Sequence, residues 1–489
     1  MTVLSIRMNK SIFLKNSISS LGLLGANILF SLFFTSYYVR TFGVESFSFL
    51  SLLIQFSAGL TLICSPFNTV LARFVILDES NYQIHYRTVF CITFLLSLVV
   101  SFVAIYFFSS SIDYQVDFLF FALGAMFLCF SLIENCFLFI SGKLYIQSSL
   151  QILNVFFRVL GFFILANYFD SVLSFSLSFF MINLMHYLAL KFIFCKKMHS
   201  YGIERKAPIA IFDFKLLLVK SKYLFLNSFG AVLIRNIDIV LILYFLTSTD
   251  AGIYALYLQI VALVRLFTEA FSTAIAPKIM RDFIKKDNDS VISFNVFLKI
   301  IYFVVALTTF LVFVNISFLW KLWVGDSIDY DIYIIGLLLL SGGLSGGFYA
   351  YVYVQNALDK NKVPSYVSLI SGFAFFLGGA GILFFEFGLD NYALYYFVVI
   401  FLKNVIFSAY YNSVICNQVF FANLKSFFAA LLPVVFLGFV FYVLNFQSHQ
   451  GDILFIVCQI PLVLSALFLF YKYSFRNEEK HFLKKFWSS

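Results

Sequence analysis

Long apolar runs recur from one end of the chain to the other, and short polar segments separate them. About 20 such residues form an α-helix long enough to cross the hydrocarbon core of a bilayer. The pattern therefore predicts an all-α polytopic membrane protein with about 14 transmembrane helices. These are residues 17–39, 46–71, 89–109, 117–141, 147–168, 171–194, 222–247, 252–276, 296–317, 333–356, 364–385, 390–414, 425–445 and 451–472.

The Lys and Arg residues are sorted between alternate connections. Of the 33 in the chain, Arg40 and Lys321 are the ones that fall on the second set of connections, which carries acids such as Asp113 and Asp170. Connections rich in Lys and Arg face the cytoplasm in membrane proteins. Both chain ends are basic, which predicts that both termini are cytoplasmic. An even number of helices agrees with this, because it places both termini on the same side of the membrane.

Composition excludes a soluble domain. Soluble domains carry about 25% charged residues, whereas 12% of this chain is charged and 62% is hydrophobic. The net charge of +9 lies in short loops beside the predicted helices, which indicates contact with anionic membrane lipids and argues against nucleic acid. The 7 cysteines have neither pairing nor metal-ligand spacing and are expected to be small buried side chains. No metal or cofactor is predicted.

The chain is predicted to contain an internal repeat. A shift of 204 residues aligns residues 67–72 with 271–276, and the same register holds without a gap over the preceding helix. Because six helices make one repeat, the second copy enters the membrane from the same side, which predicts two parallel lobes around a central cleft. The predicted parts are an N-terminal lobe (1–194), a cytoplasmic linker loop (195–221), a C-terminal lobe (222–414), and two additional helices with a cytoplasmic tail (415–489).

Short motifs lie at corresponding turns and helix ends. They are YVRTFGVESFS at 38–48, DIVL at 238–241, AGIYA at 251–255, AP at 276–277 and QNAL at 355–358. Together they resemble the polysaccharide flippases of the multidrug/oligosaccharidyl-lipid/polysaccharide (MOP) exporter superfamily, although Ser48 stands where that family usually has glycine. Within the superfamily, the chain is most similar to O-antigen and capsule-repeat flippases of the Wzx type.

The resemblance implies a transport function without catalytic residues or cofactors. The substrate would be an undecaprenyl-diphosphate-linked oligosaccharide, moved from the cytoplasmic to the outer leaflet of the bacterial inner membrane during O-antigen and lipopolysaccharide biosynthesis. The implied mechanism is alternating access driven by antiport of a proton or sodium ion. Membrane lipids and other polysaccharide-assembly proteins are further expected partners.

Four basic residues lie inside apolar runs instead of in the connections: Arg158, Arg235, Arg265 and Lys403. A charge at mid-bilayer costs about 2.5–3.5 kcal/mol on insertion scales, so such residues usually face a cavity. Guanidinium groups bind phosphate oxygens with two parallel hydrogen bonds. These four residues are therefore the candidates for binding the diphosphate in the cleft. Arg158 comes first because its own helix has no acid within reach.

Three acids also lie inside the predicted helices, namely Glu134, Asp238 and Glu269, and they are the candidates for binding the coupling ion. Two interpretations stay open for the pairs Arg235–Asp238 and Arg265–Glu269, whose spacings of three and four residues place them on neighbouring positions of a helix. They are either internal ion pairs or groups that line the cleft. Glu134 is the acid expected to balance Arg158.

Three alternative functions remain. A drug or small-cation antiporter of the same superfamily would favour an acidic cavity, and a lipid II flippase would also have fourteen helices. A membrane-embedded enzyme, such as a polysaccharide polymerase or acyltransferase, would need a catalytic loop or a His/Asp constellation at the bilayer surface. The very short connections on the outer side argue against such an enzyme.

Overall fold

The computed structural model describes most of the chain, and all regular secondary structure in that part is helical. The described residues are 10–77, 82–109, 115–140, 144–200, 211–284, 290–325, 328–347, 349–416, 420–443 and 453–488. Each of the fourteen predicted helices has a helical counterpart in these ranges. Within them, eleven helices are long and apolar enough to cross a membrane. The prediction of an all-α polytopic membrane protein is confirmed.

The α-helices of the described ranges are numbered in chain order. They are α1 (Lys10–Leu29), α2 (Thr35–Leu77), α3 (Tyr82–Ser109), α4 (Gln115–Ile140), α5 (Leu144–Leu165), α6 (Ser171–Ser200), α7 (Ile211–Arg235), α8 (Asp238–Phe245), α9 (Ser248–Ile284), α10 (Ser290–Val314), α11 (Ile316–Trp323), α12 (Ile332–Gly347), α13 (Tyr349–Ala357), α14 (Lys362–Phe384), α15 (Gly388–Ile400), α16 (Ser408–Ile415), α17 (Phe420–Val443), α18 (Ile453–Tyr473) and α19 (Asn477–Ser488).

Two π-helical segments interrupt otherwise continuous helices. Phe30–Phe34 joins α1 to α2, and Phe401–Phe407 joins α15 to α16. A π turn accommodates one extra residue, and such turns occur frequently at functional sites. The turn predicted between the first two transmembrane helices is a sharp kink inside α2, at Gly43 (φ 85°, ψ 167°). Glycine tolerates this backbone conformation because it has no Cβ.

The helices form two compact units. Unit 1 contains the described residues of Met1–Ala255 together with Ser368–Phe376. Within it, the Gly230 Cα lies so close to the α14 backbone that a Cβ there would overlap the Ser368 carbonyl, and Gly372 is similarly close to α7. The Ser368 hydroxyl donates to the carbonyl of Asn227 at 3.2 Å. Small residues at such crossings allow two backbones to approach closely.

Unit 2 contains the described residues of Leu256–Val367 and Leu377–Ser489. Helix α10 passes through its core, where the Phe303 ring stacks on Phe470 with centroids 4.1 Å apart. The buried hydroxyls of Tyr302 and Tyr351 form a hydrogen bond of 2.9 Å. Two of the packed helices, α17 and α18, correspond to the predicted additional helices 13 and 14.

Polar bonds join both ends of α10 to the C-terminal segment. After its last turn, Asn315 exchanges two amide hydrogen bonds with Gln459 of α18, at 2.9 and 2.8 Å. Near its first turns, Lys299 forms an ion pair with Glu479 of α19 at 2.7 Å and also donates to the Ser474 carbonyl at 3.0 Å. Lys299 is only 5% exposed. Neither Lys299 nor the helix α19 was predicted from the sequence to have a structural role.

Candidate functional site

Arg158 lies in the second half of α5 in unit 1, and two aromatic rings contact its guanidinium. The Cζ atom is 5.1 Å from the ring centroid of Phe30 and 5.5 Å from that of Phe179. Within the described residues, its Nε is buried without a hydrogen bond, and no carboxylate forms an ion pair with it. Aromatic faces stabilise a cation electrostatically. These contacts therefore offset the charge without accepting a hydrogen bond from the Nε–H group.

Two asparagines extend this polar region between α5 and α6. Asn154 lies one turn before Arg158 on the same face of α5, and its amide donates to the Asn183 side chain at 3.0 Å. Asn183 is buried, and its own amide nitrogen has no acceptor within the described residues. We call Arg158, Asn154 and Asn183 the α5–α6 polar patch. The two asparagines were not predicted as site residues, although the four-residue spacing of Asn154 and Arg158 in an apolar helix indicates a shared polar face.

Neighbouring contacts hold the patch in place. The Ser178 hydroxyl of α6 donates to the Arg158 carbonyl at 2.7 Å. The Phe179 ring stacks on Phe121 of α4, with centroids 4.1 Å apart. Gly124, one turn along α4, lies so close to α6 that a Cβ would overlap the Phe179 ring. This close packing fixes the α6 side of the patch.

Glu134 does not balance Arg158, so that expectation was wrong. Its carboxylate is 1% exposed, and one oxygen accepts a hydrogen bond from the Tyr86 hydroxyl of α3 at 2.5 Å. The other oxygen is buried without a hydrogen bond to any described residue. Lys191 of α6 lies within electrostatic range of this carboxylate. Helix packing selects these partners, because Tyr86 lies 48 residues away in the sequence.

Arg235 and Asp238 do not lie on one continuous helix, which corrects the spacing argument for this pair. Helix α7 ends at Arg235, and α8 begins at Asp238 after a two-residue turn. In that turn, the Asn236 side chain donates to the Gln55 carbonyl of α2 at 3.1 Å. Asparagine side chains often bond to backbone groups at helix ends, and an acid is favourable in the first turn of a helix. Asp238 is fully buried, and Arg235 is half-buried.

The remaining candidates lie in unit 2. Arg265 is half-buried on α9, whereas the side chain of Glu269 lies outside the described residues. The proposed pairing of these two residues therefore stays a prediction. Lys403 is half-buried and lies in the second π segment, where its carbonyl accepts a hydrogen bond from the Ser408 hydroxyl at 3.1 Å.

Unit 2 also contains an apolar cavity of about 570 Å³. Its walls are α10, α12, α15 with the following π segment, and α17. Leucine, valine and phenylalanine side chains dominate the lining, and Gly336, Gly343 and Gly438 leave space for it. Of the two hydroxyls on its wall, that of Tyr302 is already bonded, and that of Thr309 has no partner within the described residues. Such a lining favours a hydrocarbon chain over sugars or charged groups.

Comparison with known proteins identifies the fold. No protein-family model matches the sequence, and no curated protein matches it significantly.

Solved structures match over most of the chain. The lipid II flippase MurJ in an inward closed conformation has a TM-score of 0.64, with 15% identity over 95% of this chain and 98% of MurJ. The MATE multidrug transporter DinF-BH, solved in a ligand complex, has a TM-score of 0.57, with 15% identity over 86% of this chain and 98% of that one. An inward-facing MATE family transporter of the MOP superfamily has a TM-score of 0.54, with 14% identity over 82% of this chain and 98% of that one. This multi-pass membrane protein therefore has the fold of MurJ and of the MATE transporters.

Proposed function

We propose that this protein is a flippase for undecaprenyl-diphosphate-linked oligosaccharide repeat units of the O-antigen or capsule type. It moves them from the cytoplasmic to the outer leaflet of the bacterial inner membrane by alternating access. The observation that carries this proposal is the Arg158 guanidinium, which lies on a membrane-spanning helix and has no acidic partner among the described residues. Such a cation is stable in a membrane protein when it faces a cavity or an anionic ligand. A diphosphate supplies that anion.

The chemistry of the other parts of the substrate also fits. Amide groups such as those of Asn154 and Asn183 hydrogen-bond sugar hydroxyls, and the buried Asn183 amide nitrogen has no acceptor among the described residues. The apolar cavity of unit 2 favours a lipid substrate, because its lining matches an isoprenoid chain. We assign to Arg235, Arg265 and Lys403 the role of adding positive charge along the path of the diphosphate.

A leaflet-protection assay tests the proposed function. The purified protein is reconstituted into liposomes with an undecaprenyl-diphosphate oligosaccharide that carries a fluorophore on its sugar, and a membrane-impermeant reductant quenches the exposed leaflet. The quenched fraction of the fluorescence should rise from about half to nearly all only when the protein is present. Lipid II labelled in the same way tests the first alternative substrate.

The second candidate function is drug export, which is favoured by the likeness to a MATE multidrug transporter in a ligand complex. The same liposomes loaded with a fluorescent cationic dye discriminate between the two functions. Movement of the dye without movement of the labelled lipid would replace our proposal with a drug antiporter. Movement of lipid II but not of the oligosaccharide lipid would retain the flippase class and change the substrate.

We further propose that Glu134 binds the coupling proton or sodium ion, with Asp238 and Glu269 as the other candidates. Glu134 has a buried carboxylate with one oxygen bonded to Tyr86, and the second oxygen has no hydrogen bond to any described residue. A residue that binds the coupling ion must take up and release that ion while it stays in the protein interior. Its surroundings in unit 1 fit that role, because burial disfavours the charged form whereas the tyrosine donor stabilises it.

Glu134→Gln should uncouple transport from the ion gradient. A tenfold gradient of the coupling ion is worth about tenfold in substrate accumulation for each ion exchanged, and the variant should lose this excess while it still exchanges substrate downhill. Accumulation is measured in liposomes under a proton gradient and separately under a sodium gradient. Glu478→Gln, an exposed substitution on α19, is the control. Full gradient dependence in Glu134→Gln would remove this residue from the coupling mechanism.

A further inference from the structure

We propose that Phe30 is a movable aromatic cover over Arg158, which a phosphate ligand displaces when it binds. This inference rests on the proposed function for the identity of the ligand. Phe30 is not among the site residues predicted from the sequence. Phe30 belongs to the π segment Phe30–Phe34, and its ring centroid is 5.1 Å from the Arg158 Cζ atom.

The two rings that contact Arg158 differ in how firmly they are held. Phe179 is 2% exposed, lies on the regular helix α6 and stacks on Phe121. Phe30 is half-buried, and Phe33 of the same π segment is 71% exposed. Phe30 stacks on Phe34 of the same segment, with centroids 4.9 Å apart. Phe179 is thus a fixed support for the cation, whereas the position of Phe30 depends on the local helix geometry.

The π segment provides a route for Phe30 to leave. One residue corresponds to about 100° of rotation in an α-helix. If the extra residue of the π turn moves to another place in the helix, the residues between its old and new positions rotate by about that angle. The rotation carries the Phe30 ring away from the guanidinium without breaking the helix. A short segment of irregular helix can therefore move this side chain while the rest of α1 and α2 stays in place.

Exchange of the ring for a phosphate follows from the chemistry of the guanidinium. The ring offsets the charge but accepts no strong hydrogen bond, and the Nε donor stays unbonded in this structure. Phosphate oxygens accept from two guanidinium donors at once and also neutralise the charge. Phe30 thus shields the cation when no ligand is present and yields to an anion that bonds to it better. A neutral sugar or an apolar drug gives no such compensation, so the cover favours phosphorylated ligands.

Binding of inorganic pyrophosphate to the full-length protein in lipid nanodiscs tests the cover. Phe30→Leu replaces the ring with a smaller apolar side chain that has no π face, so it should bind pyrophosphate about tenfold more tightly than the wild type. Phe30→Tyr keeps the ring and should bind as the wild type does. Phe33→Leu, in the same π segment but with its side chain exposed, is the matched control and should also leave affinity unchanged.

A second measurement does not depend on a phosphate ligand. Phenylglyoxal modifies accessible guanidinium groups, and mass spectrometry of peptides gives the rate of modification at Arg158. The rate should rise about tenfold in Phe30→Leu and stay at the wild-type value in Phe33→Leu. Phe30→Met replaces Phe30→Leu in both measurements if the leucine variant does not fold.

The outcomes separate this inference from the proposed function. If the wild type binds pyrophosphate through Arg158 and Phe30→Leu binds it no more tightly, the cover is wrong and the flippase proposal stands. If neither protein binds pyrophosphate, the assignment of a phosphate site to Arg158 fails. The modification rate alone then decides whether Phe30 covers the guanidinium. Equal modification rates in the wild type and in Phe30→Leu would overturn the cover in either case.

Discussion

Arg158→Leu should reduce transport of the diphosphate-linked substrate by about 100-fold. Truncating one partner of a buried, hydrogen-bonded charge pair costs about 2–5 kcal/mol, and a factor of 100 corresponds to about 2.8 kcal/mol. In the ligand-free protein, the guanidinium has aromatic contacts but no acid or hydrogen-bond acceptor among the described residues. Its main polar partner in our proposal is therefore the substrate. Initial rates in the leaflet-protection assay measure the effect.

The same substitution should not destabilise the protein. Removing a charge from a membrane-spanning helix lowers the cost of insertion by about 2.5–3.5 kcal/mol on insertion scales, so the apparent melting temperature of Arg158→Leu should equal or exceed that of the wild type. Arg158→Lys should retain part of the transport, since it keeps the charge but loses the bidentate geometry. Lys220→Gln, an exposed change in the same unit, is the control. Transport by Arg158→Leu within threefold of the wild type would contradict the assignment.

Lys299→Met should destabilise unit 2 by about 3–5 kcal/mol. This substitution leaves Glu479 as an uncompensated charge, and breaking a buried ion pair by removing one partner typically has an effect of that size. In the wild type, both Glu479 oxygens accept from Lys299, at 2.8 and 2.7 Å. The amine also donates to the Ser474 carbonyl, and the Ser474 hydroxyl in turn donates to the Ala429 carbonyl of α17 at 2.8 Å. One cation thus joins three helical segments.

The double variant Lys299→Met, Glu479→Leu distinguishes the ion pair from simple packing. Replacing both charges with apolar groups of similar size is often neutral or stabilising, so the double variant should recover most of the lost stability. Apparent melting temperatures of the purified proteins and protease sensitivity of the C-terminal segment measure the effect. Glu478→Gln, on the exposed neighbour of Glu479, should change neither. A double variant as unstable as Lys299→Met would show that the pair is not the cause.

Much of the fold could be predicted from the sequence because the length of an apolar run is a local property. The positions of the fourteen predicted helices agree with helical segments in the structure, although some ends differ widely, as at α7, which begins at Ile211 and not at residue 222. Irregularities inside the helices could not be predicted in this way. The break at Asn236 depends on a carbonyl of Gln55, which lies 181 residues earlier in the chain. No spacing rule along a single helix contains that contact.

The candidate site was predictable in part, for a similar reason. Arg158 stands out in the sequence because a charge in an apolar run is rare. The residues around it do not stand out in the same way. Phenylalanine is the commonest aromatic residue of this chain, and Phe30 and Phe179 have nothing unusual in their sequence context. Glu134 was assigned to the wrong partner because the sequence shows which acids are inside helices but not which helices touch.

The sequence by itself determined the membrane class, the positions of the apolar helices and the short set of intramembrane charges, whereas the orientation in the membrane stays a prediction. Each of these depends on hydrophobicity and charge counted along a continuous stretch of chain. Only the tertiary structure decided that aromatic rings cover Arg158, that Tyr86 holds Glu134, and that Lys299 pairs with a carboxylate 180 residues away. These contacts join different helices, and in an apolar chain almost any helix face can pack against another. The few polar partners are therefore selected by the packing of the whole unit.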